Sequence, residues 1–320
     1  MRKTYISKIH YEIGHLTNLD EIVDESKHPD ALEKLRGLGY RTCSVYSGNT
    51  ENLATAPIRN LLEKFPEYTD SVDAIVVAQR KGIGNVLPYL GSLGFKALPV
   101  IELGGMECGN LVAAIMYADV LVKAGVYKNV ICCFVCEADE AGRILSGVGV
   151  YNILGDGSVC CIVSETPGEF EIVNGSQTTA LTVYSGEQLA SGQGNAMVDR
   201  VKWLNVQREQ ISAILDKDET IDSFDHMASL NLPTLVNGIG RMSKYRCGTL
   251  FDDNVPRYGH IASADVLINL DDMYRMGKRG DILLNGFGWQ SMCLLHLKTE
   301  LASTDSGGLL ERCGVRRKDG

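Results

Sequence analysis

The sequence has no run of about 18 apolar residues free of charge, which is what a membrane-crossing helix requires, so no span is expected. Its amino terminus, Met1-Arg2-Lys3-Thr4-Tyr5-Ile6, is basic but lacks the long apolar stretch of a secretory signal. An excess of positive charge is missing too. The formal net charge of −9 argues against nucleic acid as the main partner, although it leaves room for a local basic mouth. Proline is scarce, with 8 in 320 residues; 45% of the chain is hydrophobic and 22% charged. That is the composition of a well-packed globular protein, long enough for two core-forming units. Gly82-Ile83-Gly84 does not open a G-x-G-x-x-G, which removes a dinucleotide fingerprint there. The six histidines lack metal-ligand spacing, so no metal is expected. The ten cysteines are not arranged as a disulfide framework: Cys132, Cys133, Cys136, Cys160, Cys161 and Cys293 lie inside apolar runs, where a free thiol acts as a small hydrophobe. Reduced thiols and a cytoplasmic location are expected.

What the chain does contain is an alternation of strand-like and helical segments. Asn52 to Phe65 reads as a helix with Leu53, Ile58, Leu61 and Leu62 on one face. Val72–Ala78, Val130–Cys136 and Val159–Ser164 read as buried strands, and Gly109 to Ala124 as a nearly all-apolar central helix. Continuous apolar strands between helices predict a mostly parallel α/β sheet covered on both faces. A weak internal repeat adds to this. Cys108-Gly109-Asn110 opens a helix containing Ala118-Asp119-Val120-Leu121 and leads to a strand at Val130. Gly259-His260-Ile261 opens one containing Ala264-Asp265-Val266-Leu267 and leads to a strand at Ile282. Each spacing, from Cys108 to Val130 and from His260 to Ile282, is 22 positions, which predicts that Cys108 and His260 hold equivalent places in two halves and face each other. The expected divisions are 1–165, 166–299 and a loose tail over 300–320. Residues 185–197 are small and polar and read as a mobile loop.

Cys108 follows Gly104-Gly105-Met106-Glu107 and precedes the apolar helix. The glycines permit a sharp turn, and a thiol at a helix start feels unpaired N–H groups and the positive end of the dipole, which favour the nucleophilic thiolate. His260, in Pro256-Arg257-Tyr258-Gly259-His260, can activate that thiol or donate to a developing oxyanion. The same dipole predicts a lowered pKa and a neutral ring for His260. Leu154-Gly155-Asp156-Gly157-Ser158 reads as a tight turn with a structural aspartate, and Asn285-Gly286-Phe287-Gly288 as a turn whose backbone N–H approaches a bound thioester oxygen.

Together these segments resemble the β-ketoacyl-ACP synthase III family of the thiolase superfamily, over roughly residues 4–298. Glu107-Cys108-Gly109-Asn110 resembles the family's A-C-x-G-F segment and Leu154-Gly155-Asp156-Gly157-Ser158-Val159 its F-G-D-G-A-G-A. Arg257-Tyr258-Gly259-His260-Ile261-Ala262-Ser263-Ala264 is similar to R-Y-G-N-T-S-A-A, and Gly286-Phe287-Gly288 to the A-F-G-G-G oxyanion turn. The resemblance implies a five-layered α-β-α-β-α fold of two pseudo-symmetric halves, a homodimer and a Cys-His-Asn triad. It also implies acyl transfer from coenzyme A to the cysteine, then decarboxylative condensation with a malonyl carrier-protein thioester.

The chain departs from that pattern in three places. His260 stands at the asparagine position, as in related Cys-His-His synthases and in thiolases. The P-H-Q-A-N segment has no counterpart: Ser229 falls at its histidine position with Asn231 close by, and His226 replaces it only if the loop slips. Trp289-Gln290 follow Gly288 where the family has more glycine. The expected catalytic set is therefore Cys108, His260, Ser229 and Asn231, with the backbone of Cys108 and Gly288 as oxyanion donors. Substrates are expected to be coenzyme A or acyl-carrier-protein thioesters, with no bound cofactor, and Trp203, Trp289, Met106 and the 185–197 loop are candidates for the pocket wall. Losing one donor of the His/Asn pair costs around 3 kcal/mol in stabilising an enolate, whereas acyl-Cys formation needs only a thiolate and an oxyanion donor. The reading is an acyltransferase or condensing enzyme that passes an acyl group from Cys108 to a malonyl-type, amine or hydroxyl acceptor. The alternative is a non-catalytic partner of a paralogous synthase in a heterodimer.

Overall fold

The computed structural model describes residues 2–79, 85–95, 97–139, 142–147, 150–179, 205, 209, 223–232, 246–288 and 291–299. The 185–197 loop, Trp203, Trp289, Gly82-Ile83-Gly84 and the 300–320 tail lie outside these residues.

In chain order the first half begins with β1 (Tyr5–Ile13), β2 (His15–Asn18), α1 (Leu19–Ile22), α2 (Ala31–Gly37), β3 (Thr42–Val45) and α3 (Thr50–Lys64). It continues with α4 (Tyr68–Ser71), β4 (Ala74–Ala78), β5 (Val100–Leu103), α5 (Asn110–Lys123) and β6 (Asn129–Cys136). The hairpin β7 (Ile144–Gly147) and β8 (Val150–Ile153) precedes β9 (Gly157–Ser164). The second half holds β10 (Phe170–Thr179), β11 (Ser223–Ala228), β12 (Arg246–Phe251), α6 (Val255–Tyr258), α7 (Asp265–Arg275), β13 (Asp281–Phe287) and β14 (Ser291–Lys298).

Ten strands form one sheet in the order β12-β11-β13-β14-β10-β1-β9-β6-β4-β5. Counting the five strands of each half along the chain, both halves read 3-2-4-5-1, and they join where β1 pairs with β10 through Tyr5↔Glu171 and Ile6↔Phe170. The pairing is mixed. Four neighbouring pairs are parallel and five antiparallel, against the mostly parallel sheet expected. The reason is that a strand covered on both faces is apolar throughout whichever way its neighbours run, so burial does not encode direction.

β6 shows how the layers arise. Val130, Cys132, Phe134 and Cys136 point into a core shared with α5, α7, β13 and β14, while Ile131, Cys133 and Val135 pack with Leu53, Ile58 and Leu61 of α3. Alternation along a strand sends successive side chains to opposite faces. Cys133 and Cys136 therefore point apart despite their close spacing. The arrangement is the thiolase-like one, with α3 outside, α5 and α7 between the two half-sheets, and the site at the starts of those two helices. Among the described residues no helix is long and apolar enough to cross a membrane.

The repeat is offset from the expected register. A 3-10 turn at Glu107–Gly109 precedes α5, and another at Ala262–Ala264 precedes α7. Each turn opens on a non-glycine residue at positive φ, Glu107 at 51° and Ala262 at 46°. Cys108 is thus equivalent to Ser263, not to His260. The two 22-residue spacings coincide because α7, with 11 residues, is three shorter than α5, with 14. His260 itself lies five residues before the helix.

Candidate active site

Cys108 sits in the turn ahead of α5, fixed from three sides. The Asn110 side chain accepts from the Met106 N–H (2.7 Å) and donates to the Gln79 carbonyl (2.6 Å), and the Ser263 hydroxyl donates to the Glu107 carbonyl (3.2 Å). A positive φ at a residue with a Cβ is uncommon and persists where the surroundings enforce it. The end of β13 comes close enough that a Cβ on Gly286 would lie 3.1 Å from the Gly109 Cα and 3.2 Å from the Cys108 carbonyl oxygen.

His260 is delivered from the other half. Gly259 at φ 69° turns the chain, and the Leu154-Gly155-Asp156 segment receives it: the His260 N–H donates to Ile153 (2.8 Å), and the Gly155 N–H donates to the His260 carbonyl (3.0 Å). Asp156 is the structural residue expected. Buried, it pairs with both guanidinium nitrogens of Arg143 (3.0 and 3.2 Å) and accepts from the backbone of Tyr46 and Ala138 (2.8 Å each).

These supports bring Cys108 Sγ to 3.3 Å from His260 Nε2, and His260 Nδ1 to 2.5 Å from Asp265 Oδ2. All three side chains are buried. Asp265 is the first residue of α7, where the helix dipole favours a negative charge. It accepts on Oδ1 from the Ile261 N–H (2.8 Å) and from Asn231 Nδ2 (3.0 Å), and on Oδ2 from the Asn231 N–H (2.8 Å) and from His260. A carboxylate is acceptor-only, so these contacts fix the proton of His260 on Nδ1 and turn Nε2 to the thiol. Burial pushes the His260 pKa down, but the Cys108 and Asp265 charges push it up by more, to about 9. The neutral ring expected from the dipole is therefore reversed, because the dipole acts on Asp265 and the ring sits between the Cys108 sulfur and the Asp265 carboxylate, both of which favour its cation. Burial meanwhile raises Cys43 and Cys293 to about 12 and also raises Cys132, Cys133 and Cys160, so those thiols stay protonated and inert at neutral pH.

Three of the expected site residues are engaged with other protein groups. Asn231 is behind the histidine: both its backbone and its side chain hold Asp265, so it positions the site instead of facing substrate. The Ser229 hydroxyl exchanges hydrogen bonds with Asn285, donating to its carbonyl (3.3 Å) and accepting from Nδ2 (3.2 Å). The Gly288 N–H donates to the Ser291 carbonyl (2.8 Å) and closes the β13–β14 turn, so it is committed to the turn and not to an oxyanion. A Cβ at Gly288 would run into the Glu107 carboxylate. His226 lies inside β11, paired with Ile282 and Thr249, near Lys278 and Arg279 past the far end of α7, so the loop slip does not occur. Asp265 is the residue that sequence reasoning missed. An acidic side chain at the start of an apolar helical run, five residues after the histidine, was its signal. Among the described residues no group of His, Cys, Asp and Glu is arranged to hold a metal.

No family model matches the chain. It is 23% identical over 306 residues to a β-ketoacyl-ACP synthase III from Fusobacterium nucleatum, covering 85% of this chain and 90% of that protein. Among solved structures, ChlB3, described as an acyltransferase, superposes with a TM-score of 0.73 at 12% identity, over 93% of this chain and 98% of that one. A 3-oxoacyl-ACP synthase III from Aquifex aeolicus superposes with a TM-score of 0.70 at 15% identity, over 92% and 99%. The chain has a thiolase-like fold and is similar, at low identity, to β-ketoacyl-ACP synthase III enzymes.

Proposed function

We propose that this enzyme takes an acyl group from a coenzyme A or acyl-carrier-protein thioester onto Cys108 and hands it to an oxygen or nitrogen nucleophile, with His260 moving the proton. The observation that carries the reading is the placement of one imidazole between a thiol and a four-fold hydrogen-bonded carboxylate. In the first half-reaction the Cys108 thiolate attacks the thioester carbonyl, and the donor thiol leaves with the proton of the His260 imidazolium. Having given up that proton, His260 is left as a neutral base, and acylation removes the influence of the Cys108 sulfur, one of the two groups that hold its pKa up. In the second half-reaction His260 accepts the proton of the acceptor O–H or N–H as that atom attacks the acyl-Cys108 carbonyl. The carbon–sulfur bond breaks, and the thiolate–imidazolium pair is restored.

Decarboxylative condensation fits less well. It asks for two donors on the enolate oxygen, whereas here the sole imidazole of the set is backed by Asp265 and the Asn231 amide is turned away to that carboxylate. Acetyl-CoA is the probe. The intact protein is expected to gain one acetyl group, and Cys108→Ala to gain none; an adduct that persists in Cys108→Ala overturns the reading.

We also propose a homodimer acting in the cytoplasm. β5 is the last strand of the sheet, and α5 exposes Tyr117 (42%) and Val120 (62%) beside it, an apolar edge suited to a second copy. Sedimentation is expected to give the mass of two chains, and Val120→Glu that of one.

A further inference from the structure

α7 carries a polar stripe through an apolar core. Asp265, Asn269 and Asp272 stand at i, i+4 and i+7, on one face of a helix whose Val266, Leu267, Ile268, Leu270 and Met273 are buried. Asp265 and Asn269 have no exposed surface. Buried amides of this kind destabilise a core unless every polar atom is bonded, and here they are bonded in one direction. Asn269 Nδ2 donates to Asn231 Oδ1 (2.9 Å) and to the Ser229 carbonyl (2.7 Å). Asn254 Nδ2 in turn donates to Asn269 Oδ1 (2.8 Å) and to Asp272 Oδ2 (2.8 Å). Tyr11, from β1 of the first half, closes the chain by donating to Asp272 Oδ1 (2.6 Å). Each of the three asparagines uses both ends of its amide, so none can flip without losing at least two bonds. Nothing in the acyl-transfer steps requires so long a network, which runs from the catalytic carboxylate to a partly buried tyrosine.

We infer that Asn231, Asn269 and Asn254 form a hydrogen-bond rail that positions Asp265, locking its carboxylate in the rotamer that faces His260 Nδ1. None of the three touches substrate; they act through Asp265. Asn231 holds the carboxylate directly, Asn269 stops the Asn231 amide from rotating, and Asn254 does the same for Asn269. Influence on catalysis falls with distance along the rail. Its catalytic consequence rests on the proposed acyl transfer, but its structural core does not, because the Nδ1 proton of His260 can be observed in the resting enzyme.

The test uses proton NMR of the full chain carrying nitrogen-15 histidine, together with single-turnover transfer from acetyl-Cys108 to hydroxylamine. In the wild type the short Nδ1–H···Oδ2 bond is expected to give a far-downfield proton resonance. In Asn269→Leu that resonance shifts upfield or broadens away, and transfer slows about tenfold, the loss of one oriented hydrogen bond, with an unchanged KM for acetyl-CoA. Asn254→Ala is expected to lose less, and Tyr11→Phe least. If Asn269→Leu does not fold, Asn254→Ala and Tyr11→Phe carry the comparison. Folded variants that keep the wild-type resonance and transfer rate, or that lose thermal stability alone, overturn the rail. An enzyme that acetyl-CoA does not acylate overturns the proposed function instead, and the resonance still decides the rail.

Discussion

At His260 three influences compete: burial favours the neutral ring, while the thiol sulfur and the Asp265 carboxylate favour the cation and win, with a pKa of about 9. The ring therefore carries its proton at neutral pH and gives it up only as pH rises through about 9. Replacing Asp265 with asparagine removes one of the two charges and one acceptor. The NMR titration midpoint of His260 in Asp265→Asn is expected to fall below that of the wild type. Transfer from acetyl-Cys108 is expected to slow by about 10³-fold or more, as removal of the orienting acid does in hydrolytic triads. A midpoint that stays near 9, with transfer unimpaired, would remove Asp265 from the mechanism. Cys108 and His260 were legible as residues because each follows glycines at a turn. Asp265 was not, since the reading began the second helix at His260. With the start moved to residue 265 the aspartate becomes a helix-initial anion reaching back to the ring.

Among the elements, the Leu154-Gly155-Asp156 segment joins the halves of the site. A Cβ at Gly155 would collide with the Tyr258 carbonyl oxygen, just ahead of the Gly259-His260 turn. Gly155→Ala is expected to cost about 2 kcal/mol in urea unfolding, the usual penalty for overpacking a closed interior, and to slow transfer by displacing His260. An unchanged midpoint and rate would show the segment to be looser than its contacts indicate. The sequence motif marked this turn correctly as structural. Strand direction was illegible, because β6 and β9 pair antiparallel while β4 and β6 pair parallel, and all three are buried along nearly their whole length. The equivalence of Cys108 with Ser263 was hidden for a related reason. Hydrophobic periodicity fixes where a helix faces far better than where it starts.

For the molecule as a whole, duplication creates the site and asymmetry gives it chemistry. Both halves present a 3-10 turn and a helix start to the shared core; one supplies a thiol and the other an imidazole with its carboxylate. The candidate site therefore forms only when the halves pack. The family resemblance conveyed the fold; it also implied an acyl-cysteine and a condensation apparatus. Three-dimensional contacts reassign part of that apparatus: Asn231 belongs to Asp265 and the Gly288 N–H to a turn. These reassignments depend on which buried polar atom meets which, information that a single sequence does not carry. The central claim is that acyl-Cys108 is consumed by an oxygen or nitrogen nucleophile and not by a decarboxylated malonyl unit. Its most direct test starts from enzyme preloaded with acetyl-CoA and offers hydroxylamine and malonyl-acyl carrier protein in parallel, with products identified by mass. Acetyl hydroxamate formed in a His260-dependent manner, without carbon–carbon bond formation, is the predicted result. Rapid appearance of acetoacetyl-acyl carrier protein would contradict it.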